Sequence, residues 1–486
     1  MLKNRVVRGV FIFIFITLVL GLGYLYMPEF DEAGDQKEEE QITELEKIKR
    51  EGVLRATTNF NSTNYFIYRG QPMGFHLELL KLFCNHIGVE LEVFVSNDLE
   101  ENFSCLIEEE ECDIIAMDLT VTRSRSQLFN FTEAHSQTRQ VLVQRLPDNW
   151  YSMQSSEIED NLIRNQLDLA GKTIHVQRNS AFVNRLENLM EEIGDTIYII
   201  EKDKEVETLI EQVANGEIDY TISDENLAKV NENYYANIDI KTPISFHQNL
   251  AWAVNYDADE LLEAVNKWMA DFKQTRQYVD IYDRYYNNPR SAYIARSPLS
   301  TIKGGNISTY DEYFKNFGDS KGWDWRLIAS IAYQESRFDP SAVSWAGAFG
   351  IMQLMPGTAA QYDVYQHSPV AENISAGINY LNWLDNRLKR HVEDDKQRLK
   401  FVLASYNVGL GHVLDARRLA EKNNKDPNVW KDNVDYFILN KSKPEYYLDP
   451  VVEFGYARGS EPYHYVYEIL ERYEHYKNVL DETDHS

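Results

Sequence analysis

The chain has 486 residues, which at roughly 150 residues per domain predicts about three folding units, or two if one of them is bilobal. Hydrophobic residues make up 43% and charged residues 26% of the chain, so sizeable cores are expected and wholesale disorder is excluded. The 49 basic and 77 acidic residues give a net charge of -28. Because we find no local basic patch, we expect no nucleic-acid partner.

Cysteine is scarce, and its three positions are Cys84, Cys105 and Cys112. No spacing is CxxC, and none pairs with a nearby histidine as in a zinc finger. We therefore expect neither a structural zinc nor a disulfide scaffold. One pair can still be oxidised in an exported protein, and the sequence leaves open which pair that is.

The N-terminal segment 1–30 has the layout of a targeting signal. Lys3, Arg5 and Arg8 precede an apolar run over 10–22, and such a positive flank orients the rest of the chain to the outside. The run is short for a membrane span of about 20 residues, so a cleaved signal peptide and an uncleaved membrane anchor both stay open. The acidic stretch 31–51 predicts a solvated tether that becomes helical near its end.

The rest of the chain divides into two domains. From 52 to about 290, short β-type runs alternate with helical patterns, which favours an α/β domain over 52–295. From about 320 the pattern is helical, which predicts an all-α domain over 296–486, and the Pro and Gly residues of 297–305 mark the linker. The predicted strands are 53–57, 91–95, 113–117, 140–143, 173–176 and 218–222, with a helix over 75–87.

The α/β domain resembles the family-3 bacterial solute-binding domains, which capture amino acids. The resemblance lies in segments 52–55, 65–75 and 119–125, and it covers about 52–290. It implies a bilobal periplasmic solute-binding-protein-like fold. Where that family usually has an acidic residue after Gly-Phe, this chain has His76, so both an amino acid and a muropeptide are candidate ligands.

Five residues are candidates for holding this ligand. Thr120 and Thr122 at a strand end, with the guanidinium of Arg125, suit recognition of a carboxylate. Asp224 follows the last predicted strand and is the candidate acid for an ammonium group, while Ser180 opens a helix whose N–H groups suit an anion. The alternatives are that Arg125 is a surface charge and that Asp224 is a helix cap.

In the all-α domain, Glu335 continues an apolar helical stripe formed by Trp325, Ile328 and Ile331. Desolvation on such a face raises the pKa of a carboxyl, which can then donate a proton near neutral pH. The alternatives are a structural glutamate that is neutralised by an arginine such as Arg337, and a glutamate that is exposed where the helix frays.

The motifs around Glu335 resemble those of the lysozyme-like lytic transglycosylases, in the same order and over about 305–486. They are the Glu-Ser pair at 335–336, the glycine-rich run 347–359, the segment 372–381 and the Tyr-Asn segment 404–409. The resemblance implies that Glu335 is the sole catalytic acid/base and that Ser344 contacts the substrate's N-acetyl group. It places five further residues at the glycan cleft: Met352, Gln353, Tyr406, Asn407 and, from the weakest motif, Tyr465.

This resemblance implies cleavage of peptidoglycan glycan strands with 1,6-anhydromuramoyl ends, without a metal or organic cofactor. A single acid suits that reaction, since ordinary glycosidases need two carboxylates and Asp339 reads as a turn residue. Trp383, at helical spacing, is expected in the core. The alternatives are a lysozyme-type hydrolase and a non-catalytic periplasmic receptor with a glycan-binding domain.

The two domains together are similar to the membrane-bound lytic transglycosylase F family. This similarity implies a periplasmic, membrane-associated protein of a Gram-negative bacterium, bound to the membrane through its N-terminal segment if that is uncleaved. The fusion of a sensor-like domain with a catalytic one also predicts that a ligand of the first domain regulates the second.

Overall fold

We describe the protein from a computed structural model, which covers residues 42–108 and 111–480. The predicted export segment 1–30 and residues 31–41 of the predicted tether lie outside the described residues. Among the helices of the two described ranges, none is both long and apolar enough to span a bilayer.

The first body has the predicted α/β alternation. All six predicted strands form, with ends displaced by up to a few residues, and the sequence reading missed seven short or antiparallel strands. The strands are β1 Val53–Thr58, β2 Phe66–Tyr68, β3 Gln71–Met73, β4 Glu90–Val95, β5 Ile114–Thr120, β6 Asn130–Phe131, β7 Ser136–Thr138, β8 Gln140–Arg145, β9 Thr173–Gln177, β10 Tyr198–Lys202, β11 Tyr220–Asp224, β12 Ile238–Pro243 and β13 Gln248–Val254. The helices are α1 Glu44–Glu51, α2 Phe75–Ile87, α3 Leu99–Ile107, α4 Ser155–Asp160, α5 Ala181–Ile193, α6 Val206–Asn215, α7 Glu225–Glu232, α8 Asp259–Phe272, α9 Arg276–Tyr282 and α10 Arg290–Ala295.

Two sheets divide this body into two lobes. Lobe 1 has the strand order β4-β1-β5-β13-β6, with β7 also paired to β13, and lobe 2 has the order β10-β9-β11-β8-β12. The chain crosses to lobe 2 between β7 and β8 and returns between β12 and β13, so two short segments connect the lobes. β5, β9 and β11 each have a parallel neighbour, and their carboxyl ends are where open α/β sheets place ligands.

The end of the predicted tether is part of lobe 1. Thr43 caps α1, and Ile48 is buried in the lobe 1 core. The helix is therefore confirmed, but its packing makes 44–51 an integral element instead of a solvated one.

The second body is helical, as predicted. Its core combines apolar residues of the long helices with Phe349, Ile351, Met352 and Leu354 of the loop over 337–355. The helices are α11 Thr301–Gly304, α12 Asp311–Asp319, α13 Trp325–Ser336, α14 Pro356–Ala359, α15 Val370–Leu388, α16 Asp395–Val408, α17 Leu410–Lys422, α18 Asp435–Leu439, α19 Pro444–Tyr447 and α20 Ser460–Val479.

The β2–β3 hairpin of lobe 1 inserts against the helical body. The Tyr476 hydroxyl donates to the Gly70 carbonyl at 2.7 Å, and Gly70 has a φ of 79°. A Cβ there would lie within 2.8 Å of Phe338, Tyr333 and Tyr476, so only glycine fits. The predicted linker is also held, because Arg69 N–H donates to the carbonyl of Leu299 at 2.9 Å.

Candidate functional site

Glu335 lies in the last turn of α13. The helix ends because Arg337 and Phe338 take left-handed backbone conformations, with φ of 53° and 65°. Glu335 is half-buried as a residue, and the Tyr465 hydroxyl of α20 donates a hydrogen bond to its Oε1 at 2.5 Å. Among the described residues Glu335 forms no ion pair, so the alternative of neutralisation by Arg337 is wrong.

Burial raises the pKa of Glu335 to about 8, with the hydrogen bond from Tyr465 lowering it in part and the negative charge of Glu461 raising it. At neutral pH the carboxyl is therefore protonated and can act as a general acid. Glu461, near the start of α20, is a second carboxylate near the site that the sequence reading did not single out for chemistry.

The loop over 340–354 contacts the last turn of α13, where the Ser336 hydroxyl donates to the carbonyl of Ile351 at 2.8 Å. Ser344 is half-buried, and its Oγ accepts a hydrogen bond from the N–H of Ala348 at 3.0 Å. The amide of Gln353 donates to the carbonyls of Ala342 and Gly350 at 2.9 and 2.8 Å, so it closes the loop on itself. Both residues thus stabilise the loop next to the last turn of α13.

Met352 does not line the cleft with its side chain. The side chain is fully buried, and it packs where a Cβ on Gly377 would lie 2.9 Å from it. Its carbonyl accepts the hydrogen bond of the Tyr406 hydroxyl at 2.8 Å, which ties α16 to the loop. The expectation for Met352 is wrong because apolar contact with α15 draws its side chain into the core, leaving its backbone to hold Tyr406. Asn407, next to Tyr406, is half-buried at the end of α16.

The tryptophan expected in the core is exposed. Trp383 has 42% of its surface accessible, and it stacks on Tyr380 at a ring distance of 5.9 Å, which in turn lies 5.3 Å from Tyr406. Its position on α15 faces outward, so helical spacing alone was misleading. Asp339 is exposed in the turn after α13 and accepts hydrogen bonds from Ser341, as expected of a turn residue.

A second candidate site lies between the lobes of the first body. A cavity of about 70 Å³ faces the last residues of three strands, Thr120, Gln177 and Asp224. A groove of about 250 Å³ shares Leu99, Gln177 and Glu205 with this cavity. The two spaces therefore meet, with a small inner chamber and a larger outer groove.

Arg125 is a wall of this cavity and not a surface charge. It is 8% exposed, and its guanidinium donates to the carbonyls of Thr120 and Asn179 at 3.3 and 3.4 Å. Burial lowers its pKa to about 10, and Asp224 opposes this. Thr122 does not line the cavity, since its hydroxyl accepts from the N–H of Arg125 at 3.3 Å and so holds the turn.

Asp224 and Ser180 supply unused polar atoms to the cavity. Asp224 is at the start of α7 but makes no capping hydrogen bond, so the alternative of a helix cap is not supported. Its Oδ1 and the Oγ of Ser180 are buried without a hydrogen-bond partner among the described residues. Desolvation raises the pKa of Asp224 to about 8, with Asp118 adding to the rise.

Two further carboxyls, Asp118 and Glu205, line the cavity and were missed from the sequence. Asp118 directly follows the predicted strand 113–117 and Glu205 lies inside a charged run, so neither stood out. Desolvation and the charge of Glu207 raise the pKa of Glu205 to about 8.

His76, Asp118 and His135 are close enough to suggest a metal site, with ligand atoms within 4.8 Å of one another. The Trp252 indole N–H donates to Nδ1 of His76 at 2.9 Å, which leaves the proton of a neutral ring on Nε2. That Nε2 lies 3.2 Å from Asp118 and donates to it. Because the nitrogen that would bind a metal carries a proton, the cluster fits a hydrogen-bond network that orients Asp118.

Each of the two bodies matches a known protein family. Residues 312–429 match the family Transglycosylase SLT domain, and residues 55–288 match Bacterial extracellular solute-binding proteins, family 3. Among solved structures, the P235GK mutant of ArgBP from T. maritima is 20% identical, with a TM-score of 0.42, and covers 50% of this chain and 99% of its own. AbpA from Streptococcus pneumoniae bound to L-arginine is 22% identical, with a TM-score of 0.42 and coverage of 51% and 99%.

Full-length relatives carry both domains. The membrane-bound lytic murein transglycosylase F of Desulfosudis oleivorans is 35% identical over 431 residues, which are 88% of this chain and 91% of the relative. The protein of the same name from Stutzerimonas stutzeri is 32% identical over 437 residues, or 90% and 87%. Because this identity extends over nearly all of both chains, the chain belongs to the membrane-bound lytic murein transglycosylase F family.

Proposed function

We propose that this protein is a peptidoglycan lytic transglycosylase in which Glu335 is the sole acid and base. It cleaves the β-1,4 bond between N-acetylmuramic acid and N-acetylglucosamine. The observation that carries the proposal is the desolvated Glu335 carboxyl, with a pKa of about 8, hydrogen-bonded to Tyr465. A carboxyl of this kind holds its proton at neutral pH until a glycosidic oxygen accepts it.

In the first step Glu335 gives its proton to the glycosidic oxygen, the C1–O bond breaks, and the substrate's acetamide oxygen stabilises C1. The resulting carboxylate keeps the hydrogen bond from Tyr465, which is stronger to a charged acceptor than to a neutral one. In the second step the carboxylate takes the proton of the muramoyl 6-hydroxyl, whose oxygen attacks C1 and closes the 1,6-anhydro ring. Water is not consumed, and Glu335 ends the cycle protonated.

The test is mass spectrometry of peptidoglycan digested by the full-length protein, Glu335→Gln and Glu461→Gln. We expect anhydromuropeptides from the wild type and from Glu461→Gln, and none from Glu335→Gln. Hydrated products that disappear in both variants would make Glu461 the second carboxylate of a lysozyme-type hydrolase. Binding of glycan without any cleavage would favour the non-catalytic receptor.

For the first body we propose an amino-acid or muropeptide ligand, bound with its carboxylate at Arg125 and its ammonium group at Asp224. The inner chamber is small, and its junction with the outer groove lets an amino-acid head enter while a longer peptide extends outward. Calorimetry on Glu335→Gln with L-alanine, L-lysine and a disaccharide tetrapeptide distinguishes these ligands. Arg125→Gln should abolish binding, whereas Arg123→Gln, an exposed neighbour, should not.

We further propose that this ligand regulates catalysis by closing the lobes. The N–H of Ser62 in lobe 1 donates to Glu207 of lobe 2 at 2.9 Å, and Gln177 of lobe 2 donates to the Asn97 carbonyl at 3.0 Å. A ligand that binds between the lobes adds to such contacts and so favours closure. An unchanged rate of glycan cleavage at saturating ligand would refute this regulation.

The site of action follows from the substrate. We propose a periplasmic protein of a Gram-negative bacterium that associates with a membrane through its N-terminal segment, and the family membership and the apolar run over 10–22 support this location. Fractionation of cells that express the full chain, with N-terminal sequencing of the product, tests both the location and the cleavage of 1–30.

A further inference from the structure

Trp345 is the most exposed tryptophan of the described residues, with 91% of its surface accessible. It lies next to Ser344 on the loop beside Glu335. An indole in this position contributes almost nothing to the core, because it buries almost no surface there. Its presence is therefore not explained by folding.

The turn beneath Trp345 is rigid. The N–H of Ser344 donates to the carbonyl of Ala348 at 2.8 Å, and the N–H of Gly347 donates to the carbonyl of Ser344 at 3.0 Å. The side chain of Ser344 adds a third hydrogen bond to the same turn, because its Oγ accepts from the N–H of Ala348. The indole is thus presented on a fixed base, which limits the ordering cost of binding.

A cation lies beside this indole. The Arg458 guanidinium carbon is 5.8 Å from the ring centroid, and Arg458 forms no ion pair within the described part of the chain. Arg458 comes two residues before α20, the helix that brings Tyr465 to Glu335. The pair therefore brings the loop of Ser344 next to the segment that enters α20.

These two side chains match the chemistry of a glycan that carries peptides. An indole offers a flat apolar surface to the C–H face of a sugar ring, and a guanidinium binds carboxylates through paired N–H groups. We propose that Trp345 and Arg458 form a glycan subsite at the rim of the cleft, where the indole stacks on a sugar and the guanidinium binds a carboxylate of a muramoyl peptide. This inference rests on the proposed function.

Kinetics of the full-length protein test the subsite. Trp345→Ala should raise KM for glycan strands about tenfold with little change in kcat, and Trp345→Phe should recover most of the loss. Phe246→Ala is the matched control, since Phe246 is 92% exposed in the segment between β12 and β13 and should leave KM unchanged. Arg458→Gln should raise KM for peptide-bearing glycan but not for glycan stripped of its peptides.

Tryptophan fluorescence gives a second readout. In the Glu335→Gln background, added glycan should change the emission, and most of that change should be lost when Trp345→Phe is also present. A KM for Trp345→Ala equal to that of Phe246→Ala, or an emission change that survives Trp345→Phe, would overturn the subsite. A wild type that yields no anhydro product would instead overturn the proposed function, so the two failures are distinct.

Discussion

In the proposed mechanism, the hydrogen bond from Tyr465 to Glu335 sets the pH range of catalysis. Glu335 acts as an acid only while protonated, so kcat/KM should fall as the pH rises through its pKa of about 8. Tyr465→Phe removes the hydroxyl that donates to Oε1 at 2.5 Å and leaves the ring in place. Because this donor favours the carboxylate, its loss raises the pKa of Glu335.

The size of the effect follows from the two protonation states. A hydrogen bond is worth about 1.5–3 kcal/mol to a charged acceptor and about 0.5–1.5 kcal/mol to a neutral one, so the difference is about 1–1.5 kcal/mol. At 1.36 kcal/mol for each pH unit, the alkaline limb should move up by about one unit. The hydrogen bond also stabilises the Glu335 carboxylate that forms after proton transfer, by the same free-energy difference. In Tyr465→Phe the value of kcat/KM at the pH plateau should therefore fall by about tenfold.

The assay is the pH profile of kcat/KM for release of anhydromuropeptides by the full-length protein. Tyr467→Phe is the control, because Tyr467 lies on the same helix but donates to Asp435 at 2.8 Å. We expect its profile to match the wild type. An alkaline limb of Tyr465→Phe that stays in place or moves to lower pH would refute the reasoning.

Three predictions concern stability, each measured by urea denaturation. Gly70→Ala should lower the free energy of unfolding by about 2–4 kcal/mol, since the added Cβ combines a left-handed φ with contacts under 3 Å. Gly88 has the same φ of 79° but open space around it, so Gly88→Ala is the control and should cost about 1 kcal/mol. Lys441→Met should cost about 3 kcal/mol, because it removes a partner 2.7 Å from the buried carboxylate of Asp415; a loss below 1 kcal/mol would contradict this. The raised pKa of Asp224 makes the wild type lose free energy of unfolding between about pH 4 and pH 8. Asp224→Asn lacks this loss, so its stability relative to the wild type should increase as the pH rises. A stability difference that does not change with pH would refute this prediction.

The sequence predicted the catalytic helix better than its surroundings. The apolar stripe of α13 placed Glu335 correctly on a desolvated face, because burial of a helix follows its period. Met352 and Trp383 were misjudged, since their burial depends on what packs against α15, which local pattern does not contain. Tyr465 came only from a weak motif, and it lies 130 residues from Glu335 in the chain.

For the inter-lobe cavity, too, the local sequence pattern predicted only some of the lining residues. Arg125 and Asp224 could be named because the resemblance to the solute-binding family pointed to the segments after two strands, and strand ends gather at one edge of a sheet. Asp118 and Glu205 could not, because the cavity forms only when two separate lobes face each other. The Cys105–Cys112 disulfide, which encloses a short loop, was left open for a similar reason, since spacing alone does not fix a partner.

The position of α20 joins lobe 1 to the catalytic site. Near its start Tyr465 contacts Glu335, and near its end Tyr476 donates to Gly70 of the β2–β3 hairpin. Asn478 also donates to the carbonyl of Val93 in β4. Lobe 1 and the helical body are thus bonded along one helix, which leaves lobe 2 as the part that a ligand can move.

Lobe 2 reaches the catalytic body through the linker. Asn231 of lobe 2 accepts a hydrogen bond from the buried Arg296 at 2.6 Å and donates to Glu207, the residue that holds Ser62 of lobe 1. Opening of the lobes would separate Glu207 from Ser62 and would also displace Arg296. Arg296 lies three residues before the segment 299–301, which forms hydrogen bonds with the β2 region. The β2–β3 hairpin holds Gly70 against Tyr333 and Phe338, which flank Glu335 in the chain. We therefore infer that the linker transmits closure of the lobes to the surroundings of Glu335. A ligand then alters the rate only by the difference in its affinity for the closed and open lobes.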